Sequence, residues 1–242
     1  MTKDLEGRTV FVAGGGSGMG RAIAVGAARA GADLVLLGRN RAALEATAAT
    51  ARDAAPGARV GILAADASDA VALTEALAEV DLDAVDTLVN SVGTNIAERA
   101  FDQLTPDSWA AMLGCNLTAA FNLAQAFVPV MRRRKGGLIV NIASTAARKP
   151  DKSGAAYQAA KAGVLALTHA IMEEEWQNGL RATAILPGMT DTPLLDRRPT
   201  PVTPEARSAA LQPEDVAEAC LFVMRLPPRA HVSELQLQPS RR

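Results

Sequence analysis

Aromatic residues and cysteines are scarce in this chain of 242 residues. Aromatic side chains make up 3% of it, and Tyr157 is the single tyrosine. Two cysteines, Cys115 and Cys220, stand far apart, too sparse for a disulfide framework and without a C-x-x-C spacing for zinc or redox chemistry. A basic surplus is also lacking, because 25 Lys and Arg face 26 Asp and Glu. Since neutralising phosphates needs such a surplus, the composition argues against a nucleic-acid partner.

Long apolar runs are lacking as well. No run approaches the roughly 18 residues that span a bilayer, and residues 1–6 place acids where a signal peptide has a basic stretch. We therefore expect a cytoplasmic protein without a membrane partner. The length suits one α/β domain of roughly 200–250 residues, and no repeat or linker divides it, which predicts a single domain over residues 1–242.

Short apolar runs alternate with longer Ala- and Leu-rich stretches along the whole chain. The first six runs are almost continuously apolar, as strands buried on both faces of a parallel sheet are, and the seventh alternates more. This order predicts right-handed crossovers and a Rossmann-type, doubly wound, seven-stranded parallel sheet with helices on both faces. The predicted strands are 9–13, 34–37, 60–64, 85–89, 138–142, 182–186 and 232–237, and the predicted helices are 18–30, 41–55, 69–80, 106–134, 154–178 and 213–225.

Residues at the predicted helix ends match the usual capping patterns. Thr105-Pro106 and Gln212-Pro213 each read as a cap followed by proline at the first helical position. The basic run 132–135 resembles a phosphate-binding patch, but it ends a long helix, where cations complement the dipole and the following glycine serves as C-cap. We therefore interpret this run as structural.

The segment 191–213 is rich in Pro and Thr and lacks apolar periodicity. It follows the sixth strand, and loops at the carboxyl ends of the strands surround the ligand in open α/β sheets. We expect a substrate lid over residues 191–213. The alternative is a disordered surface connection.

A glycine-rich loop follows the first strand directly and leads into a helical stretch. Glycine permits positive φ and lets backbone N–H groups approach a pyrophosphate, whose charge the helix N-terminus stabilises. The spacing Gly14-x-x-x-Gly18-x-Gly20 differs from the usual G-x-G-x-x-G fingerprint. A structural turn without a ligand is the alternative interpretation. The cofactor-binding residues predicted here are Gly14, Gly16, Ser17, Gly18, Met19 and Gly20.

The second strand ends in Gly38-Arg39-Asn40, where dinucleotide-binding folds often place an acid for the ribose 2′-hydroxyl. An acid would repel a 2′-phosphate, whereas the guanidinium of Arg39 can pair with it bidentately. The sequence therefore favours NADP(H), with NAD(H) possible. The alternative for Arg39 is a solvated cation.

Tyr157 and Lys161 lie four positions apart on a predicted helix, so they share one face. Because a nearby ammonium favours the phenolate, we expect the pKa of Tyr157 to fall below its usual value of about 10. Ser144 ends the fifth strand, where its hydroxyl can hold a substrate oxygen; the alternative is a turn former after the strand. Asn116 falls inside the predicted helix 106–134, an unfavourable place that suggests a functional role; the alternative is a solvated helix face.

These motifs resemble the short-chain dehydrogenase/reductase family, in its compact single-domain, 3-oxoacyl reductase-like branch. The resemblance rests on the glycine spacing, on the Tyr-x-x-x-Lys pair and on the interval from Ser144 to Tyr157. It spans essentially the whole chain. The chain departs at Ala13, where most members carry Thr, and in the run Asn90-Ser91-Val92-Gly93, where the family usually shows Asn-Asn-Ala-Gly.

The resemblance implies reversible hydride transfer between NADP(H) and a secondary alcohol or ketone. In the roles it implies, Tyr157 protonates the substrate oxygen, Ser144 orients that oxygen, and Lys161 binds the cofactor ribose and biases the tyrosine. Asn116 would hold a water that links Lys161 to solvent. The resemblance also implies cofactor contacts from Asp66, which meets the adenine amine or alternatively caps the next helix, and from Ala67, Asn90, Gly93, Pro187, Gly188 and Thr192, besides Tyr157 and Lys161.

The substrate is a small molecule whose pocket we expect at 94–98, 145–156 and the predicted lid. Basic residues near these segments would suit an anionic oxo acid or an acyl carrier thioester, or they are solvated loop charges. The residues in question are Arg148, Lys149, Lys152, Arg197 and Arg198.

The resemblance further implies a homodimer or homotetramer. The alternative to an enzyme is a catalytically silent, NADP(H)-sensing or regulatory protein of the same fold, although such members usually lose Tyr or Lys. His169 and His231 offer no ligand spacing, so no metal is predicted.

Overall fold

The computed structural model describes residues 4–240, which form one sheet of seven strands with every neighbouring pair parallel. The strands are β1 (Thr9–Ala13), β2 (Asp33–Gly38), β3 (Val60–Ala64), β4 (Thr87–Asn90), β5 (Gly137–Ile142), β6 (Leu180–Pro187) and β7 (Glu234–Leu237). Their order is β3-β2-β1-β4-β5-β6-β7. The winding direction therefore reverses between β1 and β4, which is where open α/β sheets bind ligands.

Helices cover both faces of this sheet, which confirms the predicted fold class. In the described part of the chain they are α1 (Gly18–Arg29), α2 (Arg41–Ala54), α3 (Ala70–Leu77), α4 (Pro106–Leu113), α5 (Ala119–Arg134), α6 (Ala155–Glu175), α7 (Pro204–Ala209) and α8 (Pro213–Arg225). Predicted and observed strands differ most at β4 and β7, which begin two residues later than predicted, and at β6, which begins two residues earlier.

Two apolar cores lie on opposite faces of the sheet, because successive side chains of a strand point to opposite sides. Val10 and Val12 of β1 join the core under α1, α2 and α8. Phe11 joins the core under α3, α5 and α6, where its ring meets that of Phe127 edge to face with centroids 4.9 Å apart. The sheet is thus buried on both faces at its centre, and its carboxyl edge is left for a ligand.

The predicted helix 106–134 is helical throughout, but a π-helical turn at Gly114–Thr118 separates α4 from α5. The side chain of Thr105 caps α4 by accepting a hydrogen bond from the Ser108 amide at 3.1 Å. At 29 residues this helix is long and apolar enough, by length and composition alone, to cross a membrane. The prediction concerned continuous apolar runs and is not contradicted, because Asn116 and Asn122 interrupt the apolar residues of this helix. In this fold Leu123 and Phe127 of the same helix pack in the core.

The basic run at the end of α5 forms ion pairs, in agreement with its structural interpretation. Arg132 pairs with the buried Glu175, and Arg134 lies 3.1 Å from Asp86. The capping residue differs from the prediction, because Lys135 and not a glycine takes the left-handed conformation at the helix end, with φ +52°.

The segment 191–213 contains a 3₁₀ turn at Pro193–Arg197 and the short helix α7. Its ends are held together, since the Asp191 amide donates to the Leu211 carbonyl at 2.7 Å. Within the segment, Arg207 pairs with Asp191 at 2.7 Å and also with Asp196. The segment has defined structure, and the alternative of a disordered connection does not describe it.

Candidate active site

A groove of about 490 Å³ opens at the carboxyl ends of β1 and β4, and the glycine loop forms one wall. Gly14 has φ +79°, and a Cβ on it would lie 2.7 Å from the backbone of Ser91. A Cβ on Gly20 would lie 2.1 Å from the carbonyl oxygen of Gly14. Side chains at these positions would push the loop off the sheet, so glycine is required for the loop to fold here.

The N-terminus of α1 faces this groove. Ser17 stands at its N-cap, yet its side chain makes no capping hydrogen bond. The first amides of a helix lack partners within the helix and carry partial positive charge, which suits a bound phosphate. The volume of the groove is within the range of small-molecule and cofactor sites, roughly 300–1,000 Å³. These features fit a dinucleotide.

Arg39 and Asp66 lie at one end of the groove. Nη1 of Arg39 is 3.7 Å from a carboxylate oxygen of Asp66, and the Arg39 side chain is 65% exposed. Burial raises the pKa of Asp66, but hydrogen bonds from Ser68 and the charge of Arg39 outweigh burial and hold the pKa below its ordinary value. The alternative role of Asp66 as a helix cap is wrong, because Asp69 caps α3.

Ten of the sixteen predicted cofactor residues line this groove, and the other six, Gly20, Asn90, Tyr157, Lys161, Pro187 and Gly188, do not. Gly20 is buried behind the loop. Asn90 is buried at the end of β4, where its side chain donates to Oδ1 of Asn141 at 3.1 Å and accepts from the Val92 amide at 3.1 Å. It therefore fixes the backbone beneath the groove. The predicted residues that line the groove are Gly14, Gly16, Ser17, Gly18, Met19, Arg39, Asp66, Ala67, Gly93 and Thr192.

A second cavity of about 100 Å³ adjoins the groove. Met19, Thr192 and Leu194 line both spaces, so the two are continuous. Ser144 and Tyr157 line the small cavity, together with Pro187 and Gly188. Hydroxyl groups of Ser144 and Tyr157 thus lie beside the groove rather than in it. We call this space the small cavity.

The acidity of Tyr157 contradicts the expectation from the sequence. Burial raises the pKa of Tyr157 to about 12, although a hydrogen bond with Ser144 acts in the opposite direction. Nζ of Lys161 lies 5.8 Å from the centre of the tyrosine ring and donates to the Ile142 carbonyl at 2.9 Å. The predicted lowering by Lys161 is wrong, because the loss of water around the phenol dominates and the ammonium is bonded elsewhere.

Lys161 and Asn116 are brought together behind the small cavity. Lys161 is 4% exposed, and burial lowers its pKa to about 8. A Cβ on Gly93 would lie 3.1 Å from Nζ of Lys161 and 3.0 Å from Oδ1 of Asn116. The two polar groups therefore share the space that the missing side chain leaves.

Asn116 lies in the π-helical turn and is 1% exposed, so the alternative of a solvated helix face is wrong. Its amide group donates to the carbonyls of Met112 at 2.9 Å and Thr94 at 3.1 Å. Its Oδ1 accepts from the Thr94 amide at 3.1 Å. These bonds fix the loop that follows β4. A π-helical turn inside an α-helix is frequent at functional sites.

Arg99 is a residue of the site that the sequence analysis missed. It is 8% exposed and lines the small cavity with Arg198. The expected pocket segment 94–98 stops one residue before it. No pattern in the surrounding loop signals a buried arginine, since the loop lacks apolar periodicity.

The other basic residues near the expected pocket are spread over different places. Arg197 lines the groove and donates to Oγ1 of Thr94 at 2.6 Å. Arg148 pairs with Glu234, which also accepts from His169 at 3.0 Å. Lys149 and Lys152 are exposed and line neither space.

The fold, the glycine loop and the Ser-Tyr-Lys arrangement define an NAD(P)-binding oxidoreductase of the Rossmann type. The model of the family described as short chain dehydrogenase matches residues 8–202, and the chain belongs to that family. An uncharacterized oxidoreductase of Staphylococcus aureus (strain USA300) is 31% identical over 238 residues, which cover 97% of this chain and 98% of that protein.

Solved structures agree with this assignment. The crystal structure of levodione reductase has a TM-score of 0.89 at 25% identity and covers 97% of each chain. The closed form of serine dehydrogenase, complexed with NADP+, has a TM-score of 0.86 at 27% identity and covers 96% of this chain and 94% of that one.

Proposed function

We propose that this chain interconverts a secondary alcohol and a ketone by hydride transfer with NADP(H). One observation supports this most directly: Ser144 and Tyr157 line a small cavity that is continuous with the glycine-loop groove. A carbonyl held beside these hydroxyls lies next to whatever the groove binds. When bound there, the nicotinamide cofactor supplies or accepts the hydride.

Tyr157 is the proton donor of the reducing direction in this proposal. Its pKa of about 12 keeps the phenol protonated at neutral pH. The phenolic hydrogen passes to the substrate oxygen as negative charge develops there, while the Ser144 hydroxyl orients the same oxygen. Lys161, whose pKa of about 8 leaves it mostly charged at pH 7, binds the cofactor ribose in this proposal. Its charge does not offset the effect of burial on the resting phenol, but at 5.8 Å from the ring centre it attracts the phenolate that remains once the proton has left.

Asn116 completes the proposed set as the link between Lys161 and solvent. Its proximity to Lys161 across Gly93 supports this role. Its bonds to Thr94 and Met112 hold the amide in one orientation. Gly20 and Asn90 position the backbone in this proposal, and the other predicted residues contact the cofactor directly, with Thr192 on the carboxamide.

The preference for NADP(H) over NAD(H) rests on Arg39. Its guanidinium is largely exposed, and its contact with Asp66 at 3.7 Å is too long for a bidentate pair. It therefore retains donors for a 2′-phosphate. NADPH should raise the unfolding midpoint more than NADH does, since a ligand of the folded state stabilises it by RT ln(1 + [L]/Kd). The double variant Gly38→Asp, Arg39→Ile should reverse this order; an unchanged preference contradicts the role of Arg39.

The test of the mechanism is Tyr157→Phe, which removes the hydroxyl and keeps the ring. We expect turnover of a ketone to fall by about 10²- to 10⁴-fold. The NADPH-induced rise of the unfolding midpoint should stay as in the parent, which controls for folding and cofactor binding. Turnover near that of the parent would contradict the acid–base assignment. A parent that binds NADPH but reduces no ketone or oxo acid would favour the silent, sensing alternative.

We further propose that the protein is a cytoplasmic enzyme, that it acts on small molecules, and that it assembles as a homodimer or homotetramer. Phe121 on α5 and Phe222 on α8 are about half exposed, at 47% and 50%, which supports assembly through these helices. Light scattering after size-exclusion chromatography measures the assembly. A monomer at micromolar concentration contradicts this part of the proposal.

We assign the segment 191–213 as the substrate lid, because Thr192 and Leu194 line both spaces.

A further inference from the structure

Arg99 is 8% exposed, yet no carboxylate within residues 4–240 forms an ion pair with it. Its Nε donates to the Ile96 carbonyl at 2.8 Å and its Nη2 to the Arg197 carbonyl at 2.6 Å. Within residues 4–240 these two are the hydrogen bonds of its guanidinium, and Nη1 is left for solvent or a ligand. A buried charge is costly unless it is paired. The side chain is thus held in place by carbonyl groups rather than by an ion pair.

A second guanidinium lies in the same cavity. The ionisable lining residues are Arg99, Arg198, Asp151 and Tyr157, so two cations face one carboxylate. That carboxylate already accepts the Ser153 amide at 2.8 Å. Burial and the charge of Arg198 lower the pKa of Arg99, and the smaller opposing effects of Asp151 and Tyr157 do not offset them. The small cavity therefore has a positive excess that a bound anion would neutralise.

Ser153 adds an independent observation. It lines the small cavity, and its hydroxyl oxygen is buried without a hydrogen-bond partner in the described part of the chain. Nearly all buried polar side-chain atoms in proteins have a partner. The backbone of the same residue is fixed, since its carbonyl accepts from Nδ2 of Asn95 at 2.9 Å. The free hydroxyl suits a ligand oxygen.

Arg99 is also packed against the start of the helix that carries Tyr157. A Cβ on Gly154, which directly precedes α6, would lie 2.7 Å from the Arg99 carbonyl oxygen and 2.8 Å from its Cβ. Gly154 has φ +90° and leaves room for this approach. Arg99 and Tyr157 line the same small cavity, so an anion bound to Arg99 there shares that space with the Tyr157 hydroxyl.

We propose that Arg99, Arg198 and Ser153 form a carboxylate-binding subsite, so that the substrate is a short hydroxy acid or oxo acid. This inference rests on the proposed function, because the subsite would bind the same substrate whose carbonyl lies beside Ser144 and Tyr157. A carboxylate matches the planar fork of a guanidinium. An acyl carrier thioester has no charge at the equivalent position, and the cavity, at about 100 Å³, holds only a molecule of a few heavy atoms.

The test measures binding without turnover. Protein saturated with NADP+ is titrated with pyruvate, acetoacetate and levulinate, and with the neutral methyl ester of each, while the unfolding midpoint is recorded. NADP+ and a ketone do not react with each other, so the midpoint reports affinity alone. We expect at least one acid to raise the midpoint well above its ester. Equal shifts for every pair, or no shift with any acid, overturn the subsite.

Arg198→Gln is the diagnostic variant, because Arg198 is exposed and its loss leaves the buried residues in place. Losing a charge-assisted hydrogen bond should weaken binding of the acid about tenfold or more. Lys152→Gln is the matched control, since it removes one exposed positive charge outside the cavity. Equal weakening in both variants overturns the subsite in favour of long-range attraction. Arg99→Lys keeps the positive charge but loses the planar pair of donors, so we expect it to bind the acid more weakly than the parent does.

Turnover with NADPH separates this inference from the proposed function. If the esters are reduced with the same kcat/KM as the acids, the subsite is wrong and the proposed function stands. If an acid binds selectively but no acid or ester is reduced, the subsite stands and the proposed function is wrong.

Discussion

The buried ammonium of Lys161 makes a quantitative prediction about stability. Burial lowers its pKa from 10.5 to about 8. Each tenfold change in proton affinity is worth about 1.4 kcal/mol, so holding the charged form in the folded chain costs about 3 kcal/mol below pH 8. Replacing Lys161 by an apolar residue removes this cost but also loses the hydrogen bond that Nζ donates to the Ile142 carbonyl, worth about 1 kcal/mol. The net gain in stability is therefore about 2 kcal/mol.

Lys161→Met removes the charge and keeps a straight side chain of similar size. We expect the variant to be more stable than the parent by about 2 kcal/mol at pH 7 and to lose turnover, since active sites often sacrifice stability for function. The folded state binds this proton less tightly than the unfolded state. The unfolding free energy of the parent should therefore rise relative to that of the variant between pH 8 and 10.5. This difference cancels the effect of Cys115 and Cys220, whose raised pKa values lower the stability of both proteins above pH 9.

Urea denaturation of the ligand-free parent and variant at several pH values from 6.5 to 9.5 measures both effects. Staying below pH 10 avoids Tyr157, whose raised pKa lowers stability at higher pH. The exposed Lys149 provides the control, because Lys149→Met should change stability by less than about 0.5 kcal/mol. A variant that is less stable than the parent at pH 7, with parallel pH profiles, would refute the assignment of a buried charge.

Two further predictions concern close contacts near and away from the site. Gly93→Ala places a methyl group 3.1 Å from Nζ of Lys161, and we expect a loss of about 1–3 kcal/mol together with reduced turnover, measured by denaturation and by nicotinamide absorbance. Arg132→Ala removes the ion-pair partner of Glu175, whose side chain is 5% exposed. This should lower the free energy of unfolding by about 3 kcal/mol at pH 7. Because the pKa of Glu175 is lowered by Arg132, that loss should shrink as the pH falls below 4.5, where the unfolded carboxyl becomes protonated.

Matched variants separate these effects from general damage. Gly114→Ala adds a methyl group in open space within a helical turn and should leave turnover unchanged, unlike Gly93→Ala. Arg133 pairs with Asp83 at 3.4 Å with both side chains more than half exposed, so Arg133→Ala should cost less than about 1 kcal/mol. Equal losses in the two arginine variants would contradict the buried-pair argument.

The fold and the hydroxyl groups of the site were predictable because they depend on local patterns. Continuous apolar runs separated by helical stretches predict a parallel sheet, and its carboxyl edge then collects Ser144, the glycine loop and Arg39 from separate parts of the sequence. Tyr157 and Lys161 share a helix face by their spacing alone. None of these inferences needs knowledge of distant contacts.

Other features of the site depend on contacts that spacing does not encode. The sequence pattern does not predict the π-helical turn, because the buried residues Met112, Asn116 and Ala119 keep the spacing of an ordinary α-helix. The pKa of Tyr157 depends on how much water the folded chain removes, and that quantity is absent from the sequence. The side chain of Arg99 is held by carbonyl groups of two separate loops. A single arginine in a loop therefore does not predict a buried position.

The bonds around Thr94 have a mechanical consequence for the segment 191–213. Thr94 is tied to Asn116 by two hydrogen bonds on one side and accepts from Arg197 on the other, while Arg99 bonds the carbonyl of Arg197. Any outward swing of the segment must break the two bonds at Arg197, whereas the loop that carries Thr94 stays anchored beside Lys161. The two hydrogen bonds at Arg197 would therefore separate a moving segment, 191–213, from the fixed loop that carries Thr94. The rate at which these bonds break would then limit how fast a product leaves.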